Sequence, residues 1–183
     1  MLKKPEINEY PPYYKEYVNN VPDGELLQIL DDQQKETKEL LKDLSEETAE
    51  YQYAPGKWTI KEVIGHITDT ERIMCYRLLS IARGEKGMLP GYTDDDYVKR
   101  GQFNRFSLSD LLHHQALVRQ HTILLLSSLD EEAMRQRGNA NGSEVTALAI
   151  AYIIAGHEMH HRRLIKDRYL REKLSNSDND VKG

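Results

Sequence analysis

Apolar side chains recur every three or four positions along four long stretches of this 183-residue chain, with Gly, Pro or acidic segments between them. The first stretch, from about Asp23 to Leu44, aligns Leu26, Leu27, Leu30, Gln33, Thr37, Leu40, Leu41 and Leu44 on one stripe and predicts a helix with one buried face. Pro55 and Gly56 then mark a turn, and Thr59 with Glu62 three residues later has the form of a capping box. A second helix is predicted from there to about Arg83, with Ile60, Val63, Ile64, Ile67, Ile73 and Leu78 apolar. Ser107 or Ser109 can cap a third, which carries Leu111, Leu112, Leu117, Leu124, Leu125 and Leu129. After the turn cluster Gly138–Gly142, Ser143 is the expected cap of a last helix that reaches about Lys173, roughly 45 Å at the α-helical rise.

No stretch sustains a period of two, so the chain is predicted to be all-α, a four-helix bundle with a long loop between helices two and three. That connection, Gly84 to Phe106, exceeds 20 residues and holds Gly84, Gly87, Pro90, Gly91 and the acidic run Asp94–Asp96. Connections of this length carry function or short helical turns, and this one is expected near a pocket mouth. Residues 1–22, with four of the six prolines, cannot be one helix and read as an N-terminal arm. Its Tyr10, Tyr13, Tyr14 and Tyr17 are expected to pack across the bundle or a partner chain, which leaves a homodimer open. Residues 23–174 are read as the bundle and the polar residues 175–183 as a fraying tail.

A net charge of -5 excludes a dedicated nucleic-acid binder, which needs a clustered excess of Lys and Arg. The single cysteine, Cys75, has no partner for an internal disulfide, and a reduced cytoplasmic setting follows as the expectation. No stretch approaches the roughly 18 apolar residues of a membrane span.

The candidate chemistry lies in the histidines. His157 and His161 are four residues apart, so both imidazoles can reach one ion from one helix face. His66 sits amid Val63, Ile64 and Ile67, where a buried imidazole needs a partner for its nitrogen. In a bundle, ligands from facing helices meet in the core, which makes His66, His157 and His161 a candidate divalent-metal site. His160 is the local competitor, and His113, His114 and His121 read as surface residues. The run His157-Glu158-Met159-His160-His161 also matches the H-E-x-x-H pattern of zinc proteases. The extended form of that motif is absent, since Leu164 stands where its glycine belongs. Asp69, one turn beyond His66, is a candidate to orient a histidine or relay a proton; its alternative is a solvated acid. Glu158 is a candidate to touch a metal-bound water, Arg119 to hold an anionic substrate or form a surface ion pair, and Trp58 to staple the start of helix two.

The segment from Tyr53 to Asp69, followed by Gly156–His161 in the same order and separation, resembles the DinB-like superfamily, particularly its YfiT-type metal-dependent hydrolases. The resemblance implies a four-helix bundle holding zinc or nickel through His66, His157 and His161. It also implies that Pro90–Tyr97 and Leu117–Arg119 lie beside the pocket, and that a small-molecule substrate is used. Family members of known activity imply a transfer or isomerisation with a low-molecular-weight thiol as cosubstrate. Hydrolysis by a metal-bound hydroxide, or a non-catalytic metal-binding stress protein, are the alternatives.

Overall fold

The computed structural model describes residues 3–170. In chain order it comprises α1 (Lys15–Asn20), α2 (Leu26–Leu41), α3 (Glu46–Ala49), α4 (Ile60–Ala82), β1 (Met88–Leu89), α5 (Asp94–Gly101), α6 (Leu108–Ser127), α7 (Glu131–Arg135), β2 (Arg137–Ala140), β3 (Ser143–Thr146) and α8 (Ala147–Leu164). A π-helical stretch, Ile165–Leu170, continues the last helix. The long helices α2, α4, α6 and α8 form the bundle. α4 packs on α6 and α8, and α2 packs on the same two, so helices successive among the four face one another diagonally at two of the three steps. Among the described residues no helix is long and apolar enough to cross a membrane.

Local chemistry starts the helices. Both halves of the Thr59–Glu62 capping box are formed at α4, and the Ser107 hydroxyl accepts from the Asp110 N–H at α6. The last helix departs from expectation. Ser143 opens β3, and Thr146 caps α8 by accepting from the Ala149 N–H at 3.0 Å. The cause is the Asn141-Gly142 pair, whose φ angles of 53° and 78° make the two-residue turn of a β2–β3 hairpin. β1, from the long connection, pairs in parallel with β2. Strands of two and four residues are too short for alternation to register. The same connection contains α5, a helical turn of the expected kind. The predicted end near Lys173 and the tail 175–183 lie outside the described residues.

The interior is layered. One apolar cluster joins Val18, Leu30, Leu78, Ile81, Leu126 and Ala147–Ala155. A second, at the other end, joins Leu41, Ile60, Val63, Ile64, Ile67, Phe103, Leu108, Leu111, Ile165 and Tyr169. Between them each long helix contributes buried polar side chains: Gln33 and Thr37 from α2, Thr70 and Glu71 from α4, Gln115 and Arg119 from α6, and His157, Glu158 and His161 from α8. Arg119, with 0% of its surface exposed, anchors this belt. Its Nε and Nη2 donate to the two Glu71 carboxylate oxygens at 2.8 and 2.9 Å, and Nη1 donates to the Leu30 carbonyl and to Gln33 Oε1. Gln33 in turn donates to the Ala155 carbonyl, and Thr37 to the Glu158 carboxylate, so all four helices are tied together.

The N-terminal arm lies on α8 through α1, with Val18 and Val21 buried. Gly156 permits this, because a Cβ there would collide with the Tyr17 carbonyl. Gly156→Ala is expected to lower stability by about 1–3 kcal/mol in urea unfolding, since backbone must move. Arg119→Ala strands the Glu71 carboxylate in the interior and is expected to cost about 3–5 kcal/mol, whereas Arg119→Met with Glu71→Met recovers much of that loss.

Candidate metal centre

α4 and α8 pack side by side, and the facing surfaces carry the three histidines. One helical turn separates His157 from His161, so both side chains project from one face of α8 toward His66 on α4. One nitrogen of each lies within 4.8 Å of the others. His66 Nε2 stands 3.0 Å from His157 Nε2, and the ring centroids are 4.5–4.9 Å apart. All three are buried. They form the floor of a cavity of about 390 Å³. Trp58 walls it with its ring 4.8 Å from His66, and Tyr17 stands edge-on to His157 at 5.5 Å.

The donor set fits a divalent ion of the zinc or nickel kind, for which imidazole nitrogen is a good ligand. His161 Nδ1 is buried without a hydrogen-bond partner. Three imidazoles turned mainly on one another leave lone pairs that the protein does not use.

Other sequence candidates fall elsewhere. Asp69 bonds Arg72 at 2.8 Å; the carboxylate facing His66 is Asp94, whose oxygen is 3.9 Å from His66 Nδ1. Glu158 turns toward α2, where it accepts from Thr37 and stands 3.6 Å from Arg162, with burial pushing its carboxyl pKa up against the pull of Arg119 and Arg162. It does not line the cavity. Arg119 is neither a surface ion pair nor open to a substrate, because its guanidinium is buried and paired with Glu71 in the interior. His160 packs on Tyr17, His114 lies beside Phe106, and His121 Nδ1 is 3.5 Å from Cys75 Sγ. Trp58 packs at the start of α4 and is also a wall of the cavity.

The Pro90–Tyr97 segment, which the family resemblance put beside the pocket, supplies Tyr92 and Asp94; sequence reasoning did not single out Arg77 or Thr70, and it took the arm tyrosines only as packing. Tyr14 and Tyr17 line the cavity because Gly156 lets α1 approach. Thr70, Met74 and Arg77 follow His66 by four, eight and eleven residues, a helical stripe that was legible in the sequence.

Burial governs the protonation of the histidines. Desolvation holds His157 well below the usual imidazole range, assisted by its histidine neighbours, and lowers His161 to about 3. His66 is lowered too by desolvation, opposed by Asp94 first and then Asp69. The neutral, ligand-ready form therefore prevails near neutrality. Between the unfolded value of 6.5 and about 3, the unfolded chain binds a proton at His161 that the folded chain refuses, so stability is full above 6.5 and falls below it. Chelator-treated protein is accordingly expected to lose thermal stability on acidification from about pH 7 to about pH 5. His161→Gln should make that slope shallower in thermal unfolding.

The fold matches YfiT from Bacillus subtilis, described as a probable metal-dependent hydrolase with an unusual four-helix bundle topology. The TM-score is 0.74 at 15% identity, covering 93% of this chain and 94% of that one. It also matches a mycothiol-dependent maleylpyruvate isomerase at TM-score 0.63 and 14% identity, over 79% of this chain and 60% of that chain. No curated protein matches it by sequence. The sequence profile of the DinB superfamily does match, across residues 29–165. That span contains α2 from Ile29 onward and all of α4, α6 and α8, with all three histidines, and the chain belongs to the DinB superfamily.

Proposed function

We propose that this protein is a metal-dependent enzyme in which His66, His157 and His161 hold a divalent ion of the zinc or nickel kind, and that it joins a low-molecular-weight thiol to an electrophilic small molecule. The observation that carries this reading is the convergence of three buried imidazole nitrogens at the floor of a cavity large enough for a small molecule. An ion bound by neutral ligands keeps its double charge and makes a water or thiol beside it acidic near neutral pH.

The chain's own groups then have distinct tasks. Asp94, 3.9 Å from His66 Nδ1, favours a proton on that nitrogen and leaves Nε2 as the ligand atom. Trp58 and Tyr17 cover the imidazoles and exclude water. Tyr92 donates to the Thr70 hydroxyl at 2.8 Å, and burial pushes its pKa up to about 12, so it serves as a hydrogen-bond donor and not as a base. Asp69 acts on His66 through its field alone, and Glu158 positions α8 through Thr37.

The likeness to YfiT along almost the whole chain supports a second reading, hydrolysis, with water in place of the thiol. Protein purified without chelator or histidine tag is expected to carry an equimolar divalent ion by elemental analysis. His157→Ala should weaken its retention by more than the roughly 10–100-fold that loss of an outer partner costs. Thiol consumption with an activated haloarene or epoxide, abolished in His157→Ala, is the expected activity. Ester or amide cleavage without thiol would favour hydrolysis. An ion with no turnover in either panel would leave a metal-binding protein, and no ion at all would overturn both readings.

A further inference from the structure

The cavity holds one cation that no carboxylate answers, the guanidinium of Arg77. Only 3% of its surface is exposed, and it lines the same cavity as the three histidines. Nη2 donates to the Pro90 carbonyl at 2.6 Å, Nη1 has the Met74 sulfur at 3.7 Å, and the buried Nε has no acceptor. Asp94 is the one acid lining the cavity, and it faces His66 and Tyr92. Among the described residues Arg77 makes no ion pair, in contrast to Arg119 with its two-pronged bond to Glu71. A thioether is a weak acceptor, and a buried cation without a counter-charge is costly. A neutral donor would serve the Pro90 carbonyl equally well. The guanidinium carbon stands 5.8 Å from the centre of the Tyr92 ring, so the charge has an aromatic neighbour but no counter-charge, and it is suited to an incoming anion, for which the planar guanidinium favours a carboxylate.

The spacing sets the shape of that molecule. Eleven residues, three helical turns, separate His66 from Arg77 on α4, which puts both on the same face with Thr70 and Met74 between them. Their Cα atoms are about 16 Å apart along the axis, and the side chains close part of this gap. The guanidinium reaches back to the Met74 sulfur, eight residues or about 12 Å along the axis from His66, and the molecule must bridge what remains.

We infer that the cavity takes an elongated, carboxylate-bearing small molecule, with its anionic end on Arg77 and its reacting end at the three histidines. This rests on the proposed function for events at the histidine end; the Arg77 end stands on the unpaired guanidinium. The test is calorimetric titration of the full chain, its metal content measured, with octanoate against octanamide and mercaptooctanoate against mercaptooctanamide. The wild-type protein is expected to prefer each acid over its amide by about tenfold or more. Arg77→Gln, which keeps a donor for Pro90 but not the charge, should lose the preference with metal content unchanged, and Arg77→Lys should retain part of it. Equal affinity for acid and amide in the wild type, no binding of either, or an undiminished preference in Arg77→Gln would overturn the inference. Absence of metal with an intact acid preference would sink the proposed function and leave this inference standing.

Discussion

A buried guanidinium needs a counter-charge and hydrogen-bond acceptors, and Arg119 finds them from α2 and α4 at once, in four hydrogen bonds. Its two-pronged bond to Glu71 sets the height of α4 against α6, while Gln33, held by the same guanidinium, reaches on to the Ala155 carbonyl of α8. Glu71 lies five residues beyond His66, and Ala155 lies two before His157. The charge that cannot be left unpaired thus sets the register of the two helices whose histidines must meet. Apolar packing above and below the belt supplies the driving force for assembly, but non-directional contacts alone would tolerate a slide of one helix along another.

The histidine layer belongs to this belt and differs from it in one respect. Arg119, Glu71 and Gln33 bond one another and Thr37 bonds Glu158, whereas His161 turns a buried, unpartnered nitrogen among two further imidazoles. Desolvation favours the uncharged imidazoles, so the fold holds ready the form that a cation takes as ligand. The N-terminal arm completes the enclosure. Without Tyr17 across His157, that side of the cavity would lack its aromatic cover, and the arm can sit so close only because residue 156 lacks a Cβ.

Much of this was legible from spacing. The four apolar stripes correspond to α2, α4, α6 and α8, and the Thr59–Glu62 and Ser107 signatures mark true helix starts. The structure brings His66, His157 and His161 together from a spacing of four and an apolar neighbourhood. Less legible was the small sheet: its Asn-Gly turn is a strong hairpin signal, yet strands of two and four residues leave no alternation to detect. Ser143 and Thr146 are both good caps, and only the pairing of β3 with β2 settles which one is used.

Functional polar side chains divide along the same line. Periodicity tells which residues of one helix share a face, because that follows from backbone geometry within the helix. It says nothing of which charge on another helix will stand opposite. Arg119, Glu158 and Asp69 were the charged candidates, and only packing set them apart from Arg77 and Asp94: Arg119 and Glu158 go into the belt, Asp69 onto Arg72, and Arg77 and Asp94 into the cavity. The sequence by itself determined the four long helices and the histidines able to converge, but not every buried face: Leu117 and Leu124 of α6 are exposed, and Gln115, Arg119 and Thr122 are buried in their place. The tertiary structure decided which buried charges are mutually satisfied and which remain open to a ligand, since burial and partnership depend on contacts between residues far apart in the chain.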